Sequence, residues 1–121
     1  MTALHHVAPD GSLTTVVTDQ HPDEQVSLEG VRYTEFDRRP GLSFGMYWLS
    51  AGVDDPQSPH TEDEIYVVAA GRGAIEMAGG RHAIEPGSVI SIPRHVEHKF
   101  VDITEDLALV VVFGPPEGDL R

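Results

Sequence analysis

Between Val31 and Pro116 the chain is interrupted by a turn signal every few residues. Arg39-Pro40-Gly41, Gly71-Arg72-Gly73, Gly79-Gly80, Pro86-Gly87, Pro93 and Gly114-Pro115-Pro116 leave only short apolar runs between them. No window of 11 or more residues keeps a 3.6-residue period, so the pattern predicts almost no helix. The segments between the breaks are rich in β-branched and aromatic residues, as strands are. Strands are expected at Val31–Phe36, Leu42–Ser50, Glu64–Ala70, Ala74–Ala78, Arg81–Ile84, Ser88–Ile92, Glu97–Asp102 and Leu107–Phe113. Gly79-Gly80 marks a hairpin, because both turn residues can take positive φ without a Cβ clash. Gly71-Arg72-Gly73 reads as the end of a strand. Many short strands at this spacing give an all-β sandwich or barrel.

Residues 1–30 are polar and broken by Pro9, Gly11 and Pro22. Leu13–Val17 and Val26–Leu28 are possible short strands there, with too few apolar residues for a separate core. The expected organisation is an N-terminal arm, 1–30, packing on a single barrel domain, 31–121, or on a partner subunit, where it would help form a homodimer. A chain of 121 residues suits one such domain.

With no cysteine in the chain, disulfides, thiolate metal sites and thiol catalysis are all excluded. Any metal must be held by His, Asp or Glu. The formal net charge of −12 repels polyphosphate and anionic lipid, so neither nucleic acid nor a membrane surface is an expected partner. The longest apolar run, Leu107–Phe113, is far short of the roughly 20 residues a spanning helix needs. The N-terminal MTALHHVAPDG has no basic stretch followed by an apolar run, hence no visible signal peptide, and a cytoplasmic location is expected.

Seven histidines are present. His5, His6 and His21 fall in the polar arm, and His82 on the rim of the Gly-Gly hairpin. His60 and Glu64 lie where a loop enters a strand, and His98 starts another strand. Two imidazoles and one carboxylate from two β segments can occupy one face of a metal and leave positions open, as in non-haem Fe(II) oxygenases. Three polar residues at strand ends is the plainer reading of the same pattern.

The segment Gly52–Phe100 resembles the cupin superfamily. His60, Glu64 and Gly71 match the second histidine, the glutamate and the closing glycine of its first motif, with both intervals intact. Gly87, Pro93 and His98 match the second motif, in which His95 replaces a glycine and Asp102 an asparagine. The resemblance implies a jelly-roll-like double-stranded β-helix holding one divalent transition metal, with Fe(II) favoured and Mn, Ni, Cu or Zn as alternatives. It also implies His60, Glu64 and His98 as ligands. The first motif histidine would be at position 58, which is Ser58 here. The site then has three readings: metal on His60, Glu64 and His98 alone; a weak oxygen ligand added by Gln57 or Ser58; or a metal-free ligand pocket.

Tyr66 shares the strand face of Glu64, so its hydroxyl can reach a substrate or a metal-bound water; Tyr66 and Gln57 are the candidate catalytic residues. Glu62, Asp63, Asp54 and Asp55 read as solvated turn residues. In Leu42–Ser50, Gly45, Tyr47 and Leu49 share one face and Phe44, Met46 and Trp48 the other, and either can point inward. Apolar residues on both faces suggest that one is covered by a second copy in a homodimer. The functional expectation is a metal-dependent, dioxygenase-like enzyme acting on a small organic molecule. A metal-dependent isomerase or lyase and a non-catalytic small-ligand-binding protein are the alternatives.

Overall fold

A computed structural model of the chain describes residues 3–7, 10–17, 26–28, 30–56, 59–77 and 79–118. Among these there is no helix. The strands are β1 (Ala3–Val7), β2 (Leu13–Val17), β3 (Val26–Leu28), β4 (Val31–Arg39), β5 (Leu42–Leu49), β6 (Asp63–Met77), β7 (Gly80–Ile84), β8 (Val89–Ile92) and β9 (His98–Gly114). No described helix is long and apolar enough to cross a membrane.

β1 and β2 form an antiparallel two-stranded sheet of their own. The other strands make one antiparallel sheet in the order β3-β4-β5-β9-β6-β7, with β8 also pairing β6. Two long strands shape this sheet into a barrel. The first half of β6 pairs β8 and the end of β9, while its second half pairs β7 and the start of β9. The β6–β9 register slips at three successive points between Val68 and Ala74, where the strand bends from one wall of the barrel to the other.

This bend corrects one expectation. Gly71-Arg72-Gly73 does not end a strand but carries it through the bend, and Glu97–Asp102 and Leu107–Phe113 likewise merge into β9. Gly71 has φ +93°, and a Cβ there would collide with the Asp106 backbone carbonyl of β9. A glycine closing the first motif is therefore a packing requirement of the bent β6–β9 pair. Gly45 has a similar role on β5, where a Cβ would meet the Thr34 carbonyl beside a bulge in β4.

The barrel interior is filled by Tyr47, Leu49, Tyr66, Val68, Ile75, Phe100, Leu107, Leu109, Val111 and Phe113, among others. Of the two possible faces of β5, Tyr47 and Leu49 are thus the inner one. Met46 and Trp48 lie in a separate cluster with Ala108, against Phe36, Ala69, Ala70 and Val110. That cluster is buried within a single copy of the chain, so Met46 and Trp48 do not need a partner subunit to cover them.

Candidate functional site

Glu64 is the second residue of β6 and His98 the first of β9. Alternation turns Glu64, Tyr66 and Val68 inward, and the three are buried. Glu64 pairs with Phe113 and His98 with Met77, at opposite ends of the β6–β9 ladder, so the two side chains meet across the barrel interior rather than along the ladder. The His98 Nε2 atom lies 2.7 Å from Glu64 Oε1, and both side chains are completely buried. The Tyr66 hydroxyl lies 3.1 Å from the same Nε2, and its ring packs edge-on against Phe100 and His98.

The other ring nitrogen of His98 is 2.9 Å from the Val96 carbonyl, so Nδ1 carries the hydrogen and donates it. In the neutral ring the Nε2 lone pair then points at Glu64. Burial alone would pull the His98 pKa down, but the Glu64 carboxylate and the Val96 carbonyl outweigh it and raise the pKa above the usual histidine value. With His98 neutral neither Glu64 oxygen has a hydrogen-bond donor, whereas the protonated imidazole, which the raised pKa favours, donates Nε2–H to Glu64 Oε1. A buried carboxylate without a donor is costly, and two electron-rich atoms at 2.7 Å call for a positive charge between or beside them. The donor chemistry fits a divalent cation, with His98 already oriented by its outer hydrogen bond.

His60 is beside this pair without converging on it. Its ring centre is 6.2 Å from that of His98 and 4.9 Å from that of Phe113, and its Nδ1 faces Glu117 at 3.8 Å. Among the described residues, no group of three or more His, Asp or Glu is close enough to hold an ion. The structure therefore brings two of the expected ligands together and leaves the third adjacent. Gln57 and Ser58 lie outside the described residues.

Two loops meet to place the histidines. The His95 amide donates to the His60 carbonyl at 2.7 Å, and the Arg94 amide donates to Asp63 Oδ1 at 2.8 Å. The Arg94 amide and then its guanidinium hold the Asp63 carboxyl below its usual range. His95 and Asp102 both have left-handed backbone, at φ 65° and 50°. These are the two motif positions where glycine and asparagine are replaced. The replacements keep the backbone shape, since His and Asp are among the non-glycine residues that tolerate it.

A cavity of about 170 Å³ opens beside the pair, lined by Tyr33, Tyr47, His60, Tyr66, Val111, Phe113 and Glu117. It is smaller than the roughly 300–1,000 Å³ of pockets for drug-sized ligands, and its walls are mostly aromatic. The Tyr33 hydroxyl is buried without a hydrogen-bond partner. Burial, with Glu117 as the next cause, pushes its pKa up, so it remains a donor.

Two carboxylates read as solvated turn residues are instead buried. Asp55 is 2% exposed and accepts hydrogen bonds from the Tyr47 hydroxyl at 2.7 Å and the Phe100 amide at 2.9 Å. Glu62 is 1% exposed and accepts from the Gly118 amide at 3.0 Å and from the Thr61 hydroxyl. In sequence neither differs from its exposed neighbours Asp54 and Asp63, because each is buried by partners from distant segments. Asp54 and Asp63 are exposed as expected. Glu117 lines the pocket and was not among the expected site residues; it follows the last strand with no local motif to mark it.

A family model described as "Cupin domain" matches residues 46–113. An uncharacterized protein of Streptomyces coelicolor is 42% identical over 100 residues, which are 83% of this chain and 94% of that protein. L-ectoine synthase of Vibrio cholerae is 28% identical over 89 residues, 73% of this chain and 64% of the synthase. Among solved structures, KdgF from Halomonas sp. superposes with a TM-score of 0.70 at 21% identity, covering 80% of this chain and 89% of that one.

Proposed function

The chain belongs to the cupin-domain family, and from that premise we propose that it is a metal-dependent enzyme acting on a small organic molecule in the barrel pocket. In this reading one divalent transition metal is held by His60, Glu64 and His98. The observation that carries it is the Glu64 carboxylate: completely buried, 2.7 Å from an imidazole nitrogen, and with no donor while that imidazole is neutral, so that the pair needs a positive charge. When bound, such an ion supplies Lewis acidity and, if it is Fe(II), an open position for oxygenase-type chemistry.

The chain's own residues do the rest. Val111 and Phe113 give the cavity an apolar wall, and its size admits only a compact ligand. Tyr33 offers a hydrogen-bond donor to an oxygen of that ligand. Tyr66 is placed to hold a proton beside the reacting centre, its hydroxyl lying 3.1 Å from His98 Nε2. The nearness of His60 to the Glu117 carboxylate favours a second reading, proton transfer in an isomerase or lyase, since such a pair can accept and return a proton.

The test is metal analysis of the purified protein, followed by reconstitution with Fe(II), Mn(II), Ni(II) or Zn(II) and measurement of O2 uptake with candidate substrates. About one equivalent of metal is expected. Metal binding with no O2 uptake on any substrate that turns over would move the assignment to the isomerase or lyase reading. No binding of any of the four ions would leave a non-catalytic ligand-binding protein.

We propose that the homodimer forms through the outer face around β6 and β8 rather than through Met46 and Trp48. Ile65 and Val89 there are 42% and 67% exposed, with Val67 and Val112 beside them. Sedimentation at micromolar concentration is expected to give a species near twice the 13.2 kDa chain mass. A 13.2 kDa species would remove the dimer.

A further inference from the structure

The segment after β9, Pro115–Gly118, is secured at three points around the pocket. The Glu117 amide donates to Ser43 Oγ at 2.9 Å, the Gly118 amide donates to Glu62 Oε1 at 3.0 Å, and the Arg38 guanidinium donates to the Glu117 carbonyl. Ser43 and Glu62 are both fully buried, so two interior polar side chains are committed to this short strap. A buried carboxylate is costly unless bonded, and part of the hydrogen bonding that satisfies Glu62 comes from the strap itself. The strap thus belongs to the barrel wall, and it carries the Glu117 carboxylate into the pocket lining.

There Glu117 Oε2 lies 3.8 Å from His60 Nδ1. That is beyond a direct hydrogen bond but close enough for a carboxylate to favour a hydrogen on the nitrogen facing it. The same device operates on His98, whose Nδ1–H donates to the Val96 carbonyl and leaves Nε2 as the lone-pair nitrogen. Metal-binding histidines generally need such an outer partner to fix tautomer and ring orientation.

We propose that Glu117 is the positioning residue of His60. Its carboxylate holds the His60 hydrogen on Nδ1 and so reserves Nε2 for the metal, and the strap delivers it through Ser43 and Glu62. This rests on the metal reading above, but the hold on the tautomer is a property of the metal-free chain and can be measured there.

The experiment compares the full-length wild type with Glu117→Ala, Glu117→Gln and Ser43→Ala. Two measurements are made: the ¹⁵N chemical shifts of His60 in metal-free protein, and Co(II) affinity followed by visible absorption. The wild type is expected to show the Nδ1–H tautomer, and Glu117→Ala a mixture of both. Co(II) affinity should fall about 10–100-fold in Glu117→Ala, the usual loss for an outer-partner deletion. Glu117→Gln keeps an acceptor without the charge and should fall between. Ser43→Ala removes one strap anchor and should shift both readouts in the same direction while leaving Glu117 in place. An unchanged His60 tautomer in Glu117→Ala overturns the proposal, whether or not Co(II) affinity falls, and so does unchanged Co(II) affinity. A wild type that takes up no Co(II) overturns the metal reading and the metal part of this one, while the His60 shifts still decide whether Glu117 holds the tautomer.

Discussion

His98→Ala is expected to bring metal occupancy close to zero and to destabilise the metal-free fold at the same time. Both effects come from one contact. His98 Nε2 is the nitrogen nearest the Glu64 carboxylate, at 2.7 Å, and both side chains are shut off from solvent. Without the imidazole, only His60 and Glu64 remain of the proposed ligands, and the His60 ring lies to one side of the pair, its centre 6.2 Å from that of His98 in the wild type. Two such ligands are fewer than the three that catalytic metal sites normally use. The metal-free variant also keeps a buried carboxylate whose imidazole neighbour is gone. Removing one partner of a buried charged pair typically costs about 3–5 kcal/mol. The double variant His98→Ala/Glu64→Gln separates the two effects, since it removes the stranded charge and should recover much of the stability without recovering metal. Metal analysis beside thermal unfolding reads both. Stoichiometric metal in His98→Ala would remove His98 from the ligand set.

Asp55→Ala is expected to be the most damaging substitution outside the Glu64–His98 pair. Asp55 reaches from the loop before β6 into the interior and accepts from the Tyr47 hydroxyl of β5 and the Phe100 amide of β9. Alanine leaves both donors buried and unsatisfied, at about 1–3 kcal/mol each. For a domain of this size, that total corresponds to a melting temperature lower by on the order of 10 °C. The pocket should loosen as well, because Tyr47 is one of its walls and Asp55 fixes the direction of its hydroxyl. Burial and the Asp55 carboxylate push the Tyr47 pKa upward, so the phenol stays protonated and keeps donating at neutral pH. Asp55→Asn retains one acceptor oxygen and should lose about half as much. A fall of less than about 3 °C in Asp55→Ala would mean that other groups satisfy Tyr47 and Phe100.

The strand content, the absence of described helix and the shared face of Glu64, Tyr66 and Val68 follow from local rules: turn residues, β-branched runs and period-two alternation. The spacing of His60, Glu64, Gly71, Gly87, Pro93 and His98 was enough to recognise the cupin fold from the chain alone. The same local rules misread Gly71-Arg72-Gly73 as a break. A glycine pair that ends one strand and a glycine pair that lets a paired strand bend have the same sequence, and only the Asp106 carbonyl packed against Gly71 separates them. They were also silent on the inner face of β5, where apolar side chains alternate on both sides and burial by distant segments makes the choice. Asp54 and Asp55 are adjacent and chemically identical, yet one is in solvent and the other holds Tyr47 and Phe100, because only the second lies within reach of donors from β5 and β9. Glu117 entered the pocket for the same reason, carried there by its own amide bonding Ser43 and by the Gly118 amide bonding Glu62, contacts that span 74 and 56 residues of the chain. Residue type and spacing determined which side chains can carry the chemistry. Which of them come together in the barrel interior was decided by long-range pairing, through contacts that no local stretch of sequence encodes.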